Sequence, residues 1–365
     1  MERRELLKAG VGVSASAVVA GLARPPRAFA VSSADGTRWR AFEVTTRAEI
    51  VNPAGAARAW LPLPLMPDTD YHKSLGQTWA GNAAGTRIFR DGKYGAGIFY
   101  TEWAAGEAAP TIEVTTRFAT RDRAVDFKQA GGVPPEDRAV LTKYLRGTRY
   151  LPTDGVVGKT SRDITKGLST DVDKARAIYE WIVDNTFRDP KVRGCGLGNI
   201  RAMLETGNLG GKCADLNALF VGLARAAGIP ARDVYGVRVA DSAEFKSLGK
   251  SGDITKAQHC RAECYLLGEG WVPVDPADVR KVVLEERGGL PLTDPIVQRA
   301  RVKLFGAWEM NWLAFNYAAD VKLPRSAGDP IAFFMYPQAE TAEGRRDSLD
   351  PDSFRYKMTA RELTA

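Results

Sequence analysis

An apolar helix that begins directly after a glycine pair is the feature that most constrains the fold of this chain. Gly210 and Gly211 precede Cys213, and apolar residues then recur at helical spacing until Gly228 and Pro230 end the helix. The cysteine stands in the first turn, where free N–H groups and the helix dipole favour a thiolate over a thiol. The sequence therefore predicts a helix with an activated cysteine at its N-terminus. The alternative is an inert buried cysteine, which is the commoner fate of a lone thiol.

The chain changes character near residue 130. Between residues 39 and 118, apolar and polar residues alternate and turn signals interrupt them, which indicates a β-sandwich-like module. The sequence Gly-Gly-Val-Pro-Pro at 131–135 marks a boundary. Beyond it, helical periodicity takes over at 135–145 and 173–185. Strand-like segments follow the cysteine helix at residues 233–239, 261–267 and 271–274.

The N-terminus is typical of an export signal. Arg3 and Arg4 precede a small apolar run at 11–22, and small residues at 28–30 fit a cleavage site. This order resembles a twin-arginine signal; the alternative is an uncleaved anchor. No other segment approaches the length of a membrane span, so we expect the mature protein to be soluble and to act in the periplasm or otherwise outside the cytoplasm.

Charge and cysteine content exclude two classes of protein. The formal charge is +7, but residues 1–30 supply a surplus of three positive charges and the other charges are mixed in sign. No basic run is interleaved with aromatic residues, so nucleic acid is not predicted as a partner. Four cysteines in 365 residues are too few for a disulfide scaffold.

Three linked segments resemble the transglutaminase-like superfamily. The first reads Gly-x-Cys-x-Asp-x-x-x-Leu-Phe around Cys213, the second reads His-x-x-Ala-Glu-x-Tyr from His259, and the third is Gly-Trp-Val-Pro-Val-Asp-Pro, which contains Asp275. The histidine follows the cysteine by 46 residues and the aspartate follows the histidine by 16. The resemblance covers about residues 170–280. It implies a papain-like fold, in which a cysteine on a helix faces a histidine and an acid on a sheet.

The fold class implied is α+β, with a β-sandwich-like module before a papain-like, transglutaminase-like core. The predicted organisation is a signal peptide at 1–30, a β-rich domain at 31–122, a catalytic domain at 130–300 and a C-terminal tail at 301–365 that packs on the core.

The resemblance also implies roles for the three residues. Cys213 is the nucleophile, His259 the general base and acid, and Asp275 the group that orients the imidazole. Asp275 could instead be a turn residue, since proline follows it; Asp215 and Asp278 are then the nearest rival acids. The only other histidine, His72, lies in a turn-rich part of the β module and is predicted at the surface.

Arg261 departs from the family pattern, in which an aromatic residue commonly stands two places after the histidine. In a strand, residues 259, 261 and 263 share one face. Arg261 could therefore bind a substrate carboxylate; the alternative is a structural ion pair with Glu263 or another acid. Cys260 and Cys264 point to the other face, which argues against a metal site that they would share with His259.

We expect an exported thiol enzyme that acts on peptide or protein amides and needs no cofactor. Animal transglutaminases require calcium, but the chain has no EF-hand-like acidic loop, so no metal is predicted. Hydrolysis is favoured over crosslinking because water outnumbers amine acceptors outside the cell. The alternatives are a non-catalytic relative that binds peptide or cell-wall material, and a metal site formed by the cysteines with His259.

Overall fold

The structure, a computed structural model, describes residues 38–66, 68–128 and 132–363. The signal peptide predicted at residues 1–30 lies outside these described residues. The chain has the α+β architecture that the sequence predicts, with helices packed against antiparallel sheets. None of the helices in the described part of the chain combines the length and the apolarity that a membrane crossing requires.

The elements of the described residues are as follows. The strands of the first half are β1 (Arg40–Ile50), β2 (Ala57–Pro62), β3 (His72–Gly81), β4 (Gly85–Arg90), β5 (Gly97–Trp103), β6 (Thr111–Thr120), β7 (Arg123–Ala124), β8 (Phe187–Arg188) and β9 (Gly210–Gly211). Those of the second half are β10 (Ala231–Arg238), β11 (Gly252–Asp253), β12 (Gln258–Leu266), β13 (Gly270–Val274), β14 (Ala307–Trp308), β15 (Trp312–Asn316), β16 (Ala319–Val321), β17 (Ile331–Phe333), β18 (Gln338–Thr341), β19 (Gly344–Arg346) and β20 (Phe354–Leu363). The α-helices are α1 (Arg138–Leu145), α2 (Gly155–Ile164), α3 (Asp171–Asn185), α4 (Ile200–Thr206), α5 (Cys213–Ala226), α6 (Pro276–Glu285) and α7 (Pro295–Lys303).

The N-terminal module is a sandwich of two five-stranded antiparallel sheets. Their orders are β11-β20-β1-β6-β3 and β19-β18-β2-β5-β4. In β1 and β6 every second residue is buried, because successive side chains of a strand point to opposite faces. Ile50, Leu61, Phe99 and Phe354 belong to one apolar cluster drawn from both sheets. The alternation visible in the sequence is therefore the inner face of this sandwich.

The C-terminal segment contributes strands to both sheets of the sandwich and to the sheet of order β13-β12-β10-β15. β20 pairs antiparallel with β1, from Ala41 opposite Leu363 to Ile50 opposite Phe354. β18 pairs with β2, and β15 pairs with β10. The segment predicted as a tail on the core, of which residues 301–363 are described, thus completes both sheets of the sandwich and the sheet on which α5 packs.

The second module is a helix packed on a four-stranded antiparallel sheet of order β13-β12-β10-β15. Helix α5 lies against β10 and β12, and its residues from Cys213 to Arg225 are buried. The helix ends where the sequence predicts: Gly228 follows it with a φ of 86°, a left-handed conformation that glycine adopts without strain. This packing holds the first turn of α5 beside β12.

His72 is buried, so the prediction of a surface position is wrong. It begins β3, and its ring stacks on Phe118 with centroids 5.5 Å apart. Neither ring nitrogen has a hydrogen-bond partner in the described part of the chain. Burial lowers the pKa of His72 to about 3. Turn signals nearby do not reveal this, because the first residue of a strand can face either the core or the solvent.

This burial predicts a pH dependence of folding. The unfolded chain binds a proton at His72 near pH 6.5 and the folded chain does not, so stability is complete above that pH and falls below it. Between pH 7 and pH 5 the native protein should lose about 2 kcal/mol of its free energy of unfolding through His72, and the His72→Leu variant should not show this loss. Urea unfolding at both pH values measures this. His259 acts in the opposite sense, because the folded chain holds its proton more tightly than the unfolded chain does, but this contribution is common to the variant and the native protein and cancels in the comparison. Equal pH dependence in the variant and the native protein would contradict the prediction.

Candidate active site

The first turn of α5 is fixed by Asp215. Its carboxylate accepts hydrogen bonds from the backbone N–H groups of Lys212, at 3.0 Å, and of Leu197 and Gly198, at 3.0 and 2.9 Å. Gly196 has a φ of 96°, and a Cβ there would lie 1.8 Å from the carboxylate. Asp215, one of the two rival acids, therefore locks the preceding loop to the helix that carries Cys213.

His259 lies on β12 with its Nε2 atom directed at two carboxylates. Nε2 is 2.8 Å from Oδ2 of Asp275 and 3.3 Å from Oδ2 of Asp278. All three side chains are buried. Because this contact occupies Nε2, Nδ1 is the ring nitrogen left for proton exchange with Cys213. Asp275 is also the N-cap of α6, and its carboxylate accepts a hydrogen bond from the N–H of Asp278 at 3.0 Å. It therefore caps the helix that begins at Pro276 and also contacts the histidine.

Asn217 holds Asp275 in place. Its Nδ2 donates to Oδ1 of Asp275 at 3.0 Å and to the carbonyl of Cys260 at 2.8 Å. Its own Oδ1 accepts from the N–H of Ala277 at 3.2 Å. Sequence reasoning missed this residue. The available signal was an amide one turn after Cys213 in a mainly apolar helix, because a buried polar side chain requires partners.

Cys213 and His259 line one cavity of about 440 Å³. The structure thus brings together the three residues that the resemblance implies: two line the cavity, and Asp275 lies behind the histidine. Cys195 and Tyr336 line the same cavity and were not singled out by the sequence. The backbone carbonyl of Cys195 also accepts a hydrogen bond from the N–H of Ala214, at 2.9 Å. All four cysteines are free and buried.

The electrostatics favour a thiolate–imidazolium pair. The neighbouring thiols of Cys195 and Cys260 hold the pKa of Cys213 well below its usual value; burial opposes this and His259 adds to it. Burial and Arg238 oppose protonation of His259, but the charges of Asp278 and Asp275 outweigh them and raise the pKa of His259 to about 9. Both shifts favour the thiolate–imidazolium form of the pair over the neutral form.

Asp278, the second rival acid, is committed to Arg238. Nη2 of Arg238 donates to Oδ1 of Asp278 at 2.6 Å, and both side chains are buried. Although burial works against ionisation, Arg238 holds the pKa of Asp278 well below its usual value. Asp278 is therefore a fixed negative charge near His259, while Asp275 makes the shorter contact with the ring.

Arg261 lies outside the cavity that holds Cys213. Its guanidinium lies 4.8 Å from the ring centroid of Trp312, and its Nη1 donates to the carbonyl of Glu309 at 3.0 Å. Its Nε is 3.7 Å from Oδ2 of Asp275. These contacts correspond to the predicted alternative, a structural ion pair. Its partner is Asp275, because Glu263 is already paired with Arg123 and Arg232.

A metal ion does not fit the cluster of His259, Asp275 and Asp278. Their ligand atoms lie within 4.8 Å of one another, and no second such cluster occurs in the described residues. Arg238 and Arg261 already neutralise the two carboxylates, so a dication would compete with two fixed guanidinium groups. Cys260 and Cys264 are buried on the other face of β12, against the core.

Comparison with known proteins agrees with this geometry. The family model of the transglutaminase-like superfamily matches residues 158–276, from α2 to the start of α6. An uncharacterized protein of Haemophilus influenzae is 36% identical over 341 residues, which cover 88% of this chain and 91% of the relative. Among solved structures, a candidate cysteine protease of Cytophaga hutchinsonii is 16% identical and has a TM-score of 0.50, over 88% of this chain and 98% of that chain.

A further solved structure, the periplasmic domain of TgpA from Pseudomonas aeruginosa, is 15% identical with a TM-score of 0.35, over 65% of this chain and 89% of that chain. The Cytophaga structure shows a shared fold. The family match contains the helix of Cys213, the strand of His259 and Asp275 itself. The chain belongs to the transglutaminase-like superfamily.

Proposed function

We propose that this protein is a thiol enzyme that cleaves amide bonds through Cys213, His259 and Asp275, and that it acts outside the cytoplasm. The observation that carries the proposal is the meeting of Cys213 and His259 in one cavity while Asp275 binds the opposite ring nitrogen. A non-catalytic binding module would have no need of a thiolate paired with an imidazolium.

The reaction follows from these positions. The thiolate of Cys213 attacks the amide carbonyl carbon, and the carbonyl oxygen becomes an oxyanion. Ala214, Asp215 and Leu216 donate their N–H groups to protein carbonyls, whereas the N–H of Cys213 has no such acceptor in the described chain and is the natural oxyanion donor. Imidazolium His259 gives its proton to the leaving nitrogen, the C–N bond breaks, and a thioester remains.

Resolution of the thioester decides between hydrolysis and transfer. Neutral His259 takes a proton from water, hydroxide adds to the thioester carbonyl, and the carboxylic acid leaves as the Cys213 thiolate is restored. A primary amine in place of water gives a new amide. We favour hydrolysis, since water is in large excess unless a site excludes it.

The thiol chemistry is tested by alkylation. We expect iodoacetamide to label Cys213 at pH 7 on the order of 100 times faster than an ordinary thiol, and His259→Ala to abolish this advantage. Peptide mapping separates Cys213 from Cys195. His72→Leu, which changes the only other histidine, is the matched control and should keep the fast rate. An ordinary rate in the native protein would sink the proposal.

The same proteins distinguish hydrolysis from transfer. A peptide mixture is incubated with native protein or with Cys213→Ala, with and without a primary amine, and new products are identified by mass. Products that gain water in the native sample alone support hydrolysis; amine adducts at low amine concentration would assign transfer.

The export proposal rests on the Arg3-Arg4 segment, and recovery of the protein only in the cytoplasmic fraction would contradict it.

A further inference from the structure

Apart from Cys213 and His259, the ionisable side chains of Lys, Arg, Asp and Glu that line the cavity are all cations. Seven lysine and arginine residues line it and no aspartate or glutamate does; they are Arg188, Arg193, Lys212, Arg238, Lys250, Lys256 and Lys281. We propose that the acyl donor is an acidic peptide, with carboxylates next to the amide that Cys213 attacks. This inference rests on the proposed function and specifies the substrate class of the same site.

Four of these cations already have carboxylate partners. Arg238 pairs with Asp278 at 2.6 Å. Glu285 pairs with Arg188 at 2.6 Å and also lies 3.6 Å from Lys281. Arg193 pairs with Asp347 at 2.6 Å, but both side chains are about half exposed. Such an exposed pair contributes little energy, so the Arg193 guanidinium can turn to a ligand at small cost.

The other three lysines have no carboxylate within ion-pair distance in the described part of the chain. Nζ of Lys212, the residue before the nucleophile, donates to the carbonyl of Val192 at 2.6 Å. Lys250 and Lys256 are exposed on the segment that leads into β12. Lys250 lies close enough to Asp253 to lower the pKa of this exposed carboxylate, which also accepts a hydrogen bond from the N–H of Thr255. A surplus of positive charge therefore remains at the cavity.

This surplus selects the charge of a ligand. Like charges on the walls of a cleft reinforce one another, since the protein around them excludes water and focuses the field. A volume of about 440 Å³ is typical of sites for compact ligands. An amide donor of that size that carries negative charge at neutral pH is a short peptide with side-chain or terminal carboxylates. The positive field also favours the Cys213 thiolate, so the test must separate ligand charge from thiol reactivity.

Two alkylating reagents of the same size make this separation. Iodoacetate is an anion and iodoacetamide is neutral, so the ratio of their rates at Cys213 reports the field and cancels changes in the thiol itself. We expect Lys250→Gln combined with Lys256→Gln to lower this ratio on the order of fivefold to tenfold at low ionic strength. Added salt should reduce the native ratio in the same direction.

The matched control is Lys166→Gln combined with Lys322→Gln, which removes the same charge from two exposed lysines outside the cavity and should leave the ratio unchanged. An unchanged ratio in the cavity variant, or an equal fall in the control, would overturn the inference.

A binding measurement keeps the inference separate from the proposed function. In full-length Cys213→Ala protein, a fluorescent tetrapeptide with two glutamates should bind at least about fivefold more tightly than its glutamine counterpart, and the cavity variant should remove the difference. Equal binding of the two peptides overturns the acidic-substrate inference even if Cys213 is reactive. Selective binding with an unreactive Cys213 would instead retain it and refute the enzyme.

Discussion

Asp275→Asn is expected to lower any amide turnover on the order of 10³-fold near pH 7, and to remove most of the roughly 100-fold advantage of Cys213 in alkylation. Asparagine keeps the size of the side chain, but its amide removes the negative charge that stabilises imidazolium His259 and fixes the tautomer. The pKa of His259, raised to about 9 with the help of Asp275, should fall, so the thiolate–imidazolium pair should occupy a narrower pH range. A pH–rate profile with iodoacetamide measures both effects.

Asp278→Asn is the matched control for this prediction. Asp278 lies 3.3 Å from Nε2 of His259, whereas Asp275 lies 2.8 Å away. We expect the Asp278 variant to lose less activity than the Asp275 variant, although it leaves Arg238 without its partner. If the order of the two effects is reversed, the orienting role belongs to Asp278 and the assignment of Asp275 is wrong.

Glu263→Ala is expected to reduce the free energy of unfolding by about 3–5 kcal/mol. Glu263 is fully buried on β12 and pairs with Arg232 at 2.6 Å and with Arg123. Arg232 lies between Trp271 and Tyr317, 3.8 Å from each ring centroid. Removing the carboxylate leaves two guanidinium groups buried without a counter-charge, and the protein cannot easily hydrate them. Urea unfolding monitored by tryptophan fluorescence provides the measurement.

An exposed pair supplies the comparison. Glu362 pairs with Arg40 at 2.8 Å on the surface of the sandwich, and its loss in Glu362→Ala should change the free energy of unfolding by less than about 1 kcal/mol. Similar losses in the two variants would mean that water reaches Arg123 and Arg232, and the prediction would fail.

Local sequence patterns predicted the elements whose partners lie nearby or whose burial is periodic. The alternation in β1 and β6 and the apolar spacing of α5 both appear in the structure. The spacing of Cys213, His259 and Asp275 matches the family pattern, and the fold that the resemblance implies brings the three side chains together. What the residues contributed directly was the glycine pair before α5 and the stop at Gly228.

Other features depend on contacts that no local pattern records. β20 pairs with β1 across nearly the whole chain, so a segment that looked like a polar tail is a strand. Arg261 shares a face of β12 with His259, as alternation requires, yet Trp308 and Trp312 enclose its guanidinium away from the cavity. Both outcomes were set by residues about 50 or more positions away.

The contacts of β20 also have a consequence for the order in which the thiol centre forms. The last strand braces the segment that leads into the strand of His259: the N–H of Ile254 donates to the carbonyl of Met358 at 2.9 Å, and the N–H of Met358 donates to Oγ1 of Thr255 at 3.0 Å. Met358 follows Thr255 by 103 positions, so it is synthesised much later. A nascent chain that ends before β20 therefore lacks this support, and we expect the order of synthesis to delay a reactive Cys213 until β20 has been made.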